Sequence, residues 1–459
     1  MSVKNAPASA LIADFVLARR DTGLSDHDLH LGRRAFVDTL AGALAARNTP
    51  AAALMADYAR SLSAPGAETG TASLWITGER LSPEAAALAN GAIGHVLDFD
   101  DVTSPIRGHP SVVIWPALMA LAETEQFDFL DMLRSFATGL EVIAKLGRAV
   151  AIDHVAKGWH STNTLGVIAA AVACSQMLGL NHGQITSAIG LAVAQAGGLR
   201  ANFGTMAKCF QAGQAAASAL RAVALARRGF TGSDQALDGS VGFTNVYCQG
   251  ESLTEYVATL GESPLETVAS GLDVKRYPNC YATHRTIQAI LELRRQHGLT
   301  LADVESASVV TSRRAQVPLI YSRPKTGLEG KFSLQYAVTA ALNDGELTLS
   351  TFTDAMVMRP EVQDFLPKVQ TSEDDGSPLP RWAKVTLRLR NQTELTHRVE
   401  TLKGSNADPL SDDEIIDKFV SCCRYAGYDS RVEAYAAAVL ASVDLSTSAR
   451  ALTEAIHSR

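Results

Sequence analysis

The chain has 459 residues, 47% of them hydrophobic and 19% charged, which excludes a mostly disordered protein and predicts a large core. It is longer than one compact domain of ~100–200 residues, so we expect two domains or one core with an insertion. The net charge is −7 and no lysine–arginine run is dense enough to follow a phosphate backbone, so a nucleic-acid partner is not expected.

The cysteines and apolar runs indicate a soluble cytoplasmic protein with no membrane partner. None of the 6 cysteines forms a C-x-x-C pair or a Cys/His cluster with zinc-site spacing, so we expect free thiols in a reducing compartment. The apolar stretch 10–18 contains Asp14 and is followed at once by charges, unlike a signal peptide. The longest apolar run, 166–174, is far shorter than the ~18 residues that a membrane span needs.

Helical patterns dominate the chain up to residue 268. Apolar residues recur three and four apart in one segment, another is apolar nearly all round, and two more are rich in small residues that suit close packing. Ser82 and Pro83 have the residue types of a helix start. In chain order, we predict helices from residue 83 onward and over 127–150, 165–180, 185–196 and 213–226.

The pattern changes after residue 263. Residues 306–311 are rich in β-branched side chains, 384–390 alternate, and 395–399 suggest a hairpin partner, with helices predicted at 283–297 and 332–343. Helices return after residue 404, where Ser411 and Glu414 form a capping box. We therefore expect a mainly α protein, with a large helical domain from residues 1–268 and 404–459 and an inserted α+β domain over 269–403.

An acidic motif ends one predicted helix and precedes His109. Asp98, Asp100 and Asp101 lie where the helix dipole is negative, so a cation, a buried histidine or backbone donors should compensate them. A solvated acidic helix end is the simpler alternative. A Mg²⁺–diphosphate site is weakly supported, because Pro105 occupies the fourth position after Asp101 and no second metal motif is found.

Two further segments carry single basic groups next to apolar helices. His160 precedes the most apolar helix, whose positive dipole end favours a neutral imidazole and suits an anionic ligand. Lys208 ends a glycine-rich loop before a nearly uncharged helix, so it can be desolvated and paired with a carboxylate. A loop histidine beside an ordinary helix cap, and a lysine that reaches solvent at a helix end, are the structural alternatives.

A fourth segment, 273–284, lies at the proposed domain junction, where small-molecule clefts form. Lys275 and Arg276 precede a proline turn and a helix, an arrangement that can receive a carboxylate, whereas the nearby Cys280 thiol is more typical of packing. Tyr321, taken alone, belongs to a surface loop. No nucleotide-binding, serine-hydrolase or zinc-peptidase motif is found in the sequence.

Taken together, five segments resemble the MmgE/PrpD superfamily, which includes 2-methylcitrate dehydratases, cis-aconitate decarboxylases and an iminodisuccinate epimerase. The resemblance spans nearly the whole chain, and five motifs in the family's order are far more specific than any single one. The segments are HVLDFDD (95–101), HPS (109–111), GWHSTNTLG (158–166), GLRANFGTMAK (198–208) and KRYPNCYATH (275–284).

The resemblance implies that the α+β insertion is a lid, that the protein is a homodimer, and that the active site lies in the cleft between the domains. It implies no metal and no organic cofactor. Carried over by position, the catalytic residues would be Asp98, His109, His160, Lys208 and Lys275. Candidate contacts for the substrate carboxylates are Arg107, Arg276, Tyr321 and Thr205.

The family's shared chemistry implies a cofactor-independent lyase that forms a carbanion or enolate next to a carboxylate of a small di- or tricarboxylate. His160 and His109 would move protons, with Asp98 orienting one of them. A 2-methylcitrate dehydratase-like hydro-lyase is favoured, with a cis-aconitate decarboxylase-like or an iminodisuccinate epimerase-like enzyme left open. Gln211, where the family often has histidine, and the unusual loop 102–108 leave the substrate unnamed.

A non-catalytic helical dimer scaffold is the alternative from another class. Alanine-rich, closely packed helices would serve a scaffold equally well. The two hypotheses differ in one structural requirement, because only an enzyme needs the predicted histidines and lysines to converge on one cleft.

Overall fold

The computed structural model describes residues 6–20, 22–62 and 70–457. In it 58% of the residues are helical and 9% are in strands, so the predicted mainly α class is confirmed. In the first part of the chain the helices are α1 (Ala8–Arg19), α2 (Asp26–Ala45), α3 (Pro50–Ser61), α4 (Pro83–His95), α5 (Ser111–Glu125), α6 (Phe129–Ala156), α7 (Ser161–Thr164), α8 (Gly166–Met177), α9 (His182–Val193), α10 (Met206–Arg227), α11 (Phe243–Tyr247), α12 (Thr254–Val257) and α13 (Glu266–Ala269).

The remaining elements follow in two groups. A short antiparallel pair, β1 (Ala72–Ser73) and β2 (Arg80–Leu81), precedes α4. The mixed segment contains α14 (His284–His297), β3 (Val304–Thr311), α15 (Gly327–Gly330), α16 (Leu334–Asp344), α17 (Asp354–Val357), α18 (Pro360–Phe365), β4 (Val369–Glu373), β5 (Ala383–Leu389) and β6 (Glu394–Val399). The chain then returns to helix in α19 (Asp412–Ala426), α20 (Ser430–Ala441) and α21 (Ala449–His457).

The helix ends show which local signals acted. The α10 helix begins at Met206, earlier than the predicted residue 213, because the Thr205 side chain accepts a hydrogen bond from the Ala207 amide and caps it. Lys208 therefore lies in the first turn of α10 rather than before the helix. A cation there is unfavourable next to the positive end of the helix dipole, so Lys208 needs a nearby anion.

The four strands form one sheet in the order β4-β3-β5-β6. Strands β3 and β4 are parallel, and the other two pairs are antiparallel. At one end of the β3–β5 pair, Thr311 lies opposite Ala383. The loop after β3 and the loop before β5 therefore leave the sheet side by side, which brings residues 312–318 close to residues 380–382.

Two large hydrophobic clusters form the core. One joins α1–α10 to α19–α21, and the other packs α14, α16 and α18 against the sheet. A small third cluster, made by Phe203, Cys280 and Phe332, bridges the parts of the chain before and after residue 270. The domain boundaries at residues 268 and 404, and the role of the inserted part as a lid, stay predictions. In the described residues no helix is both long and apolar enough to cross a membrane.

Helix α10 lies directly against α4 because glycines face each other at the crossing. A Cβ at Gly91 would lie 2.9 Å from the Gly213 Cα, and a Cβ at Gly213 would lie 2.0 Å from the Leu88 carbonyl oxygen. The glycines thus allow the two helices to pack closely. This close packing places the acidic motif at the end of α4 beside Lys208 at the start of α10.

Replacing Gly213 with alanine is expected to lower the free energy of unfolding by about 2 kcal/mol, because backbone rather than a flexible side chain must move to admit the methyl group. Chemical unfolding followed by circular dichroism measures this. Gly183→Ala is the matched control, since its nearest neighbouring atom lies 3.7 Å from the added Cβ on an exposed turn of α9. Equal stability of the two variants would contradict the packing argument.

Candidate active site

A cavity beside the end of α4 is lined by residues from both parts of the chain, including the third cluster of Phe203, Cys280 and Phe332. Its empty volume, counted out to the solvent at its mouth, is about 770 Å³. The polar lining is supplied by the acidic motif, the loop 103–109, the start of α7, the loop before α10, and the loops at one end of the sheet. Its charged or imidazole-bearing residues are Asp98, Arg107, His109, His160, Arg200, Lys208, Asp273, Arg314 and Arg381.

Asp98 is the most tightly held group in the cavity. Its Oδ1 atom accepts hydrogen bonds from Lys208 Nζ at 3.0 Å and from Lys275 Nζ at 2.7 Å, and all three side chains are buried. Burial alone would raise the pKa of Asp98, but the two ammonium groups outweigh it and hold this pKa well below its ordinary value. The carboxylate is therefore ionised, and a backbone φ of 51° aims it at the lysines.

Asp100 joins two histidines. Its carboxylate lies 2.9 Å from His95 Nδ1 and 3.0 Å from His109 Nδ1, while His109 Nε2 lies 3.5 Å from Asp98 Oδ1. His95 Nε2 lies 2.7 Å from Lys208 Nζ and accepts from that ammonium, so the N–H of His95 is on Nδ1 and points to Asp100. Burial lowers the pKa of His109 to about 3, so this ring is neutral.

The third carboxylate of the motif behaves differently. Asp101 is buried and accepts a hydrogen bond from the Ser111 hydroxyl. Burial, and then the nearby Asp38 carboxylate, raise the pKa of Asp101 well above its ordinary value. Since all three carboxylates of the motif are buried and partnered, a solvated acidic helix end is wrong, and the expected cations and histidines are present.

His160 stands at the start of α7 and lines the same cavity. Its Nδ1 lies 2.5 Å from Gln211 Oε1, and the amide of Gln211 is itself oriented because its Nε2 donates to the Leu199 carbonyl at 3.1 Å. Burial, and then the positive charge of Lys208, hold the pKa of His160 well below its ordinary value. The ring is therefore neutral.

Five of the nine residues predicted for the site line the cavity. They are Asp98, Arg107, His109, His160 and Lys208. The convergence of two histidines and a lysine from distant segments is the feature that separates an enzyme from a scaffold, and it favours the enzyme.

The other four predicted residues do not line this cavity. Lys275 is fully buried behind Asp98, where it donates to the Asp98 backbone carbonyl as well as to the carboxylate. Thr205 is an exposed helix cap, and Arg276 is exposed and lies over a neighbouring aromatic ring. The Tyr321 hydroxyl donates to the Phe203 backbone carbonyl at 2.9 Å. Side-chain direction, which sequence spacing does not report, sets these four apart.

Several residues of the site were missed. His95 and Asp100 lie within the acidic motif, and their spacing of five residues across a helix end was the available signal. Lys331 donates to the backbone carbonyls of Leu97 and Pro278, and burial lowers its pKa to about 7. Isolated arginines in polar loops carry no signal in one sequence, and those missed are Arg200, Arg314 and Arg381.

A metal ion could be considered for one group of side chains. Ligand atoms of His95, Asp98, Asp100 and His109 lie within 4.8 Å of one another. The ammonium of Lys208, however, already contacts both His95 Nε2 and Asp98 Oδ1. These groups are thus arranged as ion pairs with a resident cation, and the side chains as folded do not fit a metal ion.

Comparison with known proteins identifies the family of the chain. Residues 10–255 match the MmgE/PrpD N-terminal domain and residues 277–442 match the MmgE/PrpD C-terminal domain. The chain is 29% identical over 415 residues to cis-aconitate decarboxylase of Homo sapiens, covering 86% of this chain and 83% of that protein. It is 28% identical over 387 residues to cis-aconitate decarboxylase of Aspergillus terreus, covering 78% of each chain.

A second activity occurs among the relatives. The chain is 26% identical over 314 residues to 2-methylcitrate dehydratase of Escherichia coli strain K12, covering 64% of each chain. The two domain matches together span most of the sequence and meet around the cavity that holds Asp98, His109, His160 and Lys208. The chain therefore belongs to the MmgE/PrpD family and is a lyase of that type.

Proposed function

We propose that the chain catalyses a cofactor-independent lyase reaction on a small tricarboxylate or dicarboxylate, through a carbanion or enolate next to a carboxylate. The observation that carries this proposal is the convergence of His109, His160, Lys208 and the ionised Asp98 on one cavity. The homodimer implied by the resemblance and the cytoplasmic location predicted from the cysteines stay predictions.

The charge of the cavity supports an anionic substrate. Among the described residues, five cationic side chains and two carboxylates line it, and one of those carboxylates, Asp98, is already neutralised by Lys208 and Lys275. Cations in a desolvated pocket attract carboxylates and stabilise the negative charge that develops when a carbanion forms. This balance fits a substrate with two or three carboxylates.

The hydrogen bond between His160 and Gln211 supports a role for His160 as the base. The Gln211 carbonyl oxygen can only accept, so the proton of the neutral His160 ring is on Nδ1 and its Nε2 carries a lone pair. The described side chains form a hydrogen bond with Nδ1 of His160 and none with its Nε2. A free lone pair on a fixed imidazole is what removal of a proton from carbon requires.

Substrate binding would adjust the strength of this base. In the unliganded site, burial and Lys208 depress the pKa of His160 and make it a weak base. Substrate carboxylates bring negative charge into the same pocket, which offsets Lys208 and raises this pKa toward neutrality. The base is therefore strengthened only when substrate is present, while Lys208 is placed to stabilise the enolate.

The same groups suit both activities of the relatives. In dehydration, His160 would take a proton from carbon, the C–O bond would break, and the imidazolium so formed would return this proton to the leaving hydroxide, which departs as water. In decarboxylation, the C–C bond to one carboxylate would break, carbon dioxide would leave, and His160, protonated from solvent once the substrate has raised its pKa, would protonate the resulting carbanion. The decarboxylase has the same support from the relatives as the dehydratase.

A panel of candidate substrates tests the reaction. The pure protein is incubated in D₂O with 2-methylcitrate, citrate, cis-aconitate and iminodisuccinate, and followed by ¹H NMR with carbon dioxide measured in parallel. We expect new vinyl signals from one tricarboxylate, with carbon dioxide released only if the reaction is decarboxylation. Deuterium exchange without net conversion would favour an epimerase, and no change with any compound would refute the proposal.

Replacing His160 with glutamine or Lys208 with methionine should each lower kcat on the best substrate by on the order of 10²-fold or more, because proton transfer or charge stabilisation is lost. Steady-state kinetics measures the effect, and circular dichroism checks the fold. His297→Gln, at an exposed helix end, serves as the control and should retain full activity. Near-normal turnover in either site variant would overturn the assigned roles.

The pH profile tests the contact between Gln211 and His160. A carboxylate in Gln211→Glu would favour the charged imidazolium and raise the pKa of His160. Since the base must be neutral, the acid limb of kcat/KM should move to higher pH, by about one unit. Gln214→Glu is the control, because it adds the same charge to α10 at a side chain that donates to Ser218 and does not line the cavity. An unmoved acid limb in the Gln211 variant would argue that His160 is not the base.

A further inference from the structure

Within the cavity, the cations form two separate groups. Lysines and histidines act on Asp98, His109 and His160, and Asp100 is the leading charge at His109, whereas no arginine is among the leading groups. The charges that act on Arg107 come first from Arg381 and Arg314. The arginines are therefore neighbours of one another, at a different part of the cavity wall from the proton-transferring groups.

The fold explains how these three arginines meet. Arg314 follows β3 and Arg381 precedes β5, and the two strands pair where Thr311 lies opposite Ala383. Ser312 and Trp382, one step further along, remain connected by a backbone hydrogen bond of 3.2 Å. The two arginines thus lie in loops at the same end of the sheet. The loop 103–109, which belongs to the helical part of the chain, places Arg107 near them.

The three arginines are half-buried, and two of them have no paired anion among the described residues. Arg107 Nη2 is buried without a hydrogen-bond partner, and the Arg381 side chain makes no hydrogen bond or ion pair to any residue in the described ranges. Arg314 alone has an acidic partner, Asp153, at 2.9 Å. Burial, and then the repulsion from the other two arginines, lower the pKa of Arg107 to about 10. At Arg107 the attraction of Asp153 and Glu373 is weaker than the repulsion from the two arginines, so an anion should complete the group.

Backbone geometry marks the same residues. Arg107 and Arg314 have φ angles of 52° and 58°, in the left-handed region that non-glycine residues rarely adopt. Asp98, at the chemical end of the cavity, has φ 51°. Such conformations cost free energy and persist where the surrounding structure holds a side chain in a required direction. Both ends of the cavity are therefore built to aim charged side chains.

We propose that Arg107, Arg314 and Arg381 form a receptor for a substrate carboxylate remote from the reacting carbon, so that the cavity selects tricarboxylates over dicarboxylates. The planar guanidinium groups match a carboxylate through paired N–H donors, whereas Lys208 acts near the reacting carbon as a compact charge. This inference deepens the proposed function and rests on it for the direction in which the substrate is bound.

Binding of two unreactive acids tests the receptor. Propane-1,2,3-tricarboxylate has neither a hydroxyl group nor a double bond, and glutarate is the same carbon chain without the central carboxylate. Isothermal titration at pH 7.5 should give the wild-type protein a preference for the tricarboxylate on the order of tenfold or more. In Arg107→Gln and in Arg381→Gln this preference should fall to about threefold or less, with little change in glutarate binding.

The control is Arg313→Gln, which removes one positive charge from the loop that holds Arg314. Arg313 is exposed and does not line the cavity, so this variant should keep the wild-type preference. Thermal unfolding checks that each variant is folded. An unchanged preference in both site variants would overturn the proposal. Binding of inorganic phosphate tighter than that of the tricarboxylate would also overturn it, because the receptor would then fit a phosphoryl group.

The outcomes separate this inference from the proposed function. If the wild type prefers the tricarboxylate through Arg107 and Arg381 but converts no member of the substrate panel, the lyase proposal fails and the receptor stands. If the panel yields a lyase product and both variants retain the preference, the receptor fails and the lyase proposal stands.

Discussion

The buried carboxylate of Asp98 between two ammonium groups is the interaction on which the site depends. Lys208 comes from the first turn of α10, Lys275 from the segment that enters the second part of the chain, and both reach the same oxygen atom. Removing one partner of a buried pair of this kind leaves an uncompensated charge and costs about 3–5 kcal/mol. The ion pairs therefore hold three distant segments together at the cavity.

The pairing also determines the protonation of the surrounding groups. With Asp98 ionised, Lys208 has a counterion at the unfavourable end of a helix dipole and still has a proton to donate to His95. His95 in turn presents its N–H to Asp100, so a continuous polar network lies under His109 and His160. Hydrogen-bonded networks in a low-dielectric interior restrict the motion of their side chains, and this restriction helps to position a neutral imidazole for proton transfer.

Much of the fold was predictable from local patterns. The helical periodicity of α6, the apolar sequence of α8, the alternation in β5 and the capping box at Ser411 each identify an element whose type the structure shares. The start of α10 was misplaced, because Thr205 acts as a cap within a glycine-rich loop whose residues by themselves favour a turn. The predicted helix start was wrong here because the capping by Thr205 outweighs the preference of the neighbouring residues for a turn.

The sequence by itself determined the family, the helical class and many of the chemical groups of the site, because motifs such as HVLDFDD and GWHSTNTLG are short continuous segments that keep their residue types together. The tertiary structure decided which groups share the cavity. In the folded chain Lys275 lies behind Asp98, and Arg276 lies outside the cavity. Arg314 and Arg381 lie near Arg107. Those arrangements depend on strand pairing and on the direction of side chains from segments far apart in the chain, and no local spacing encodes either.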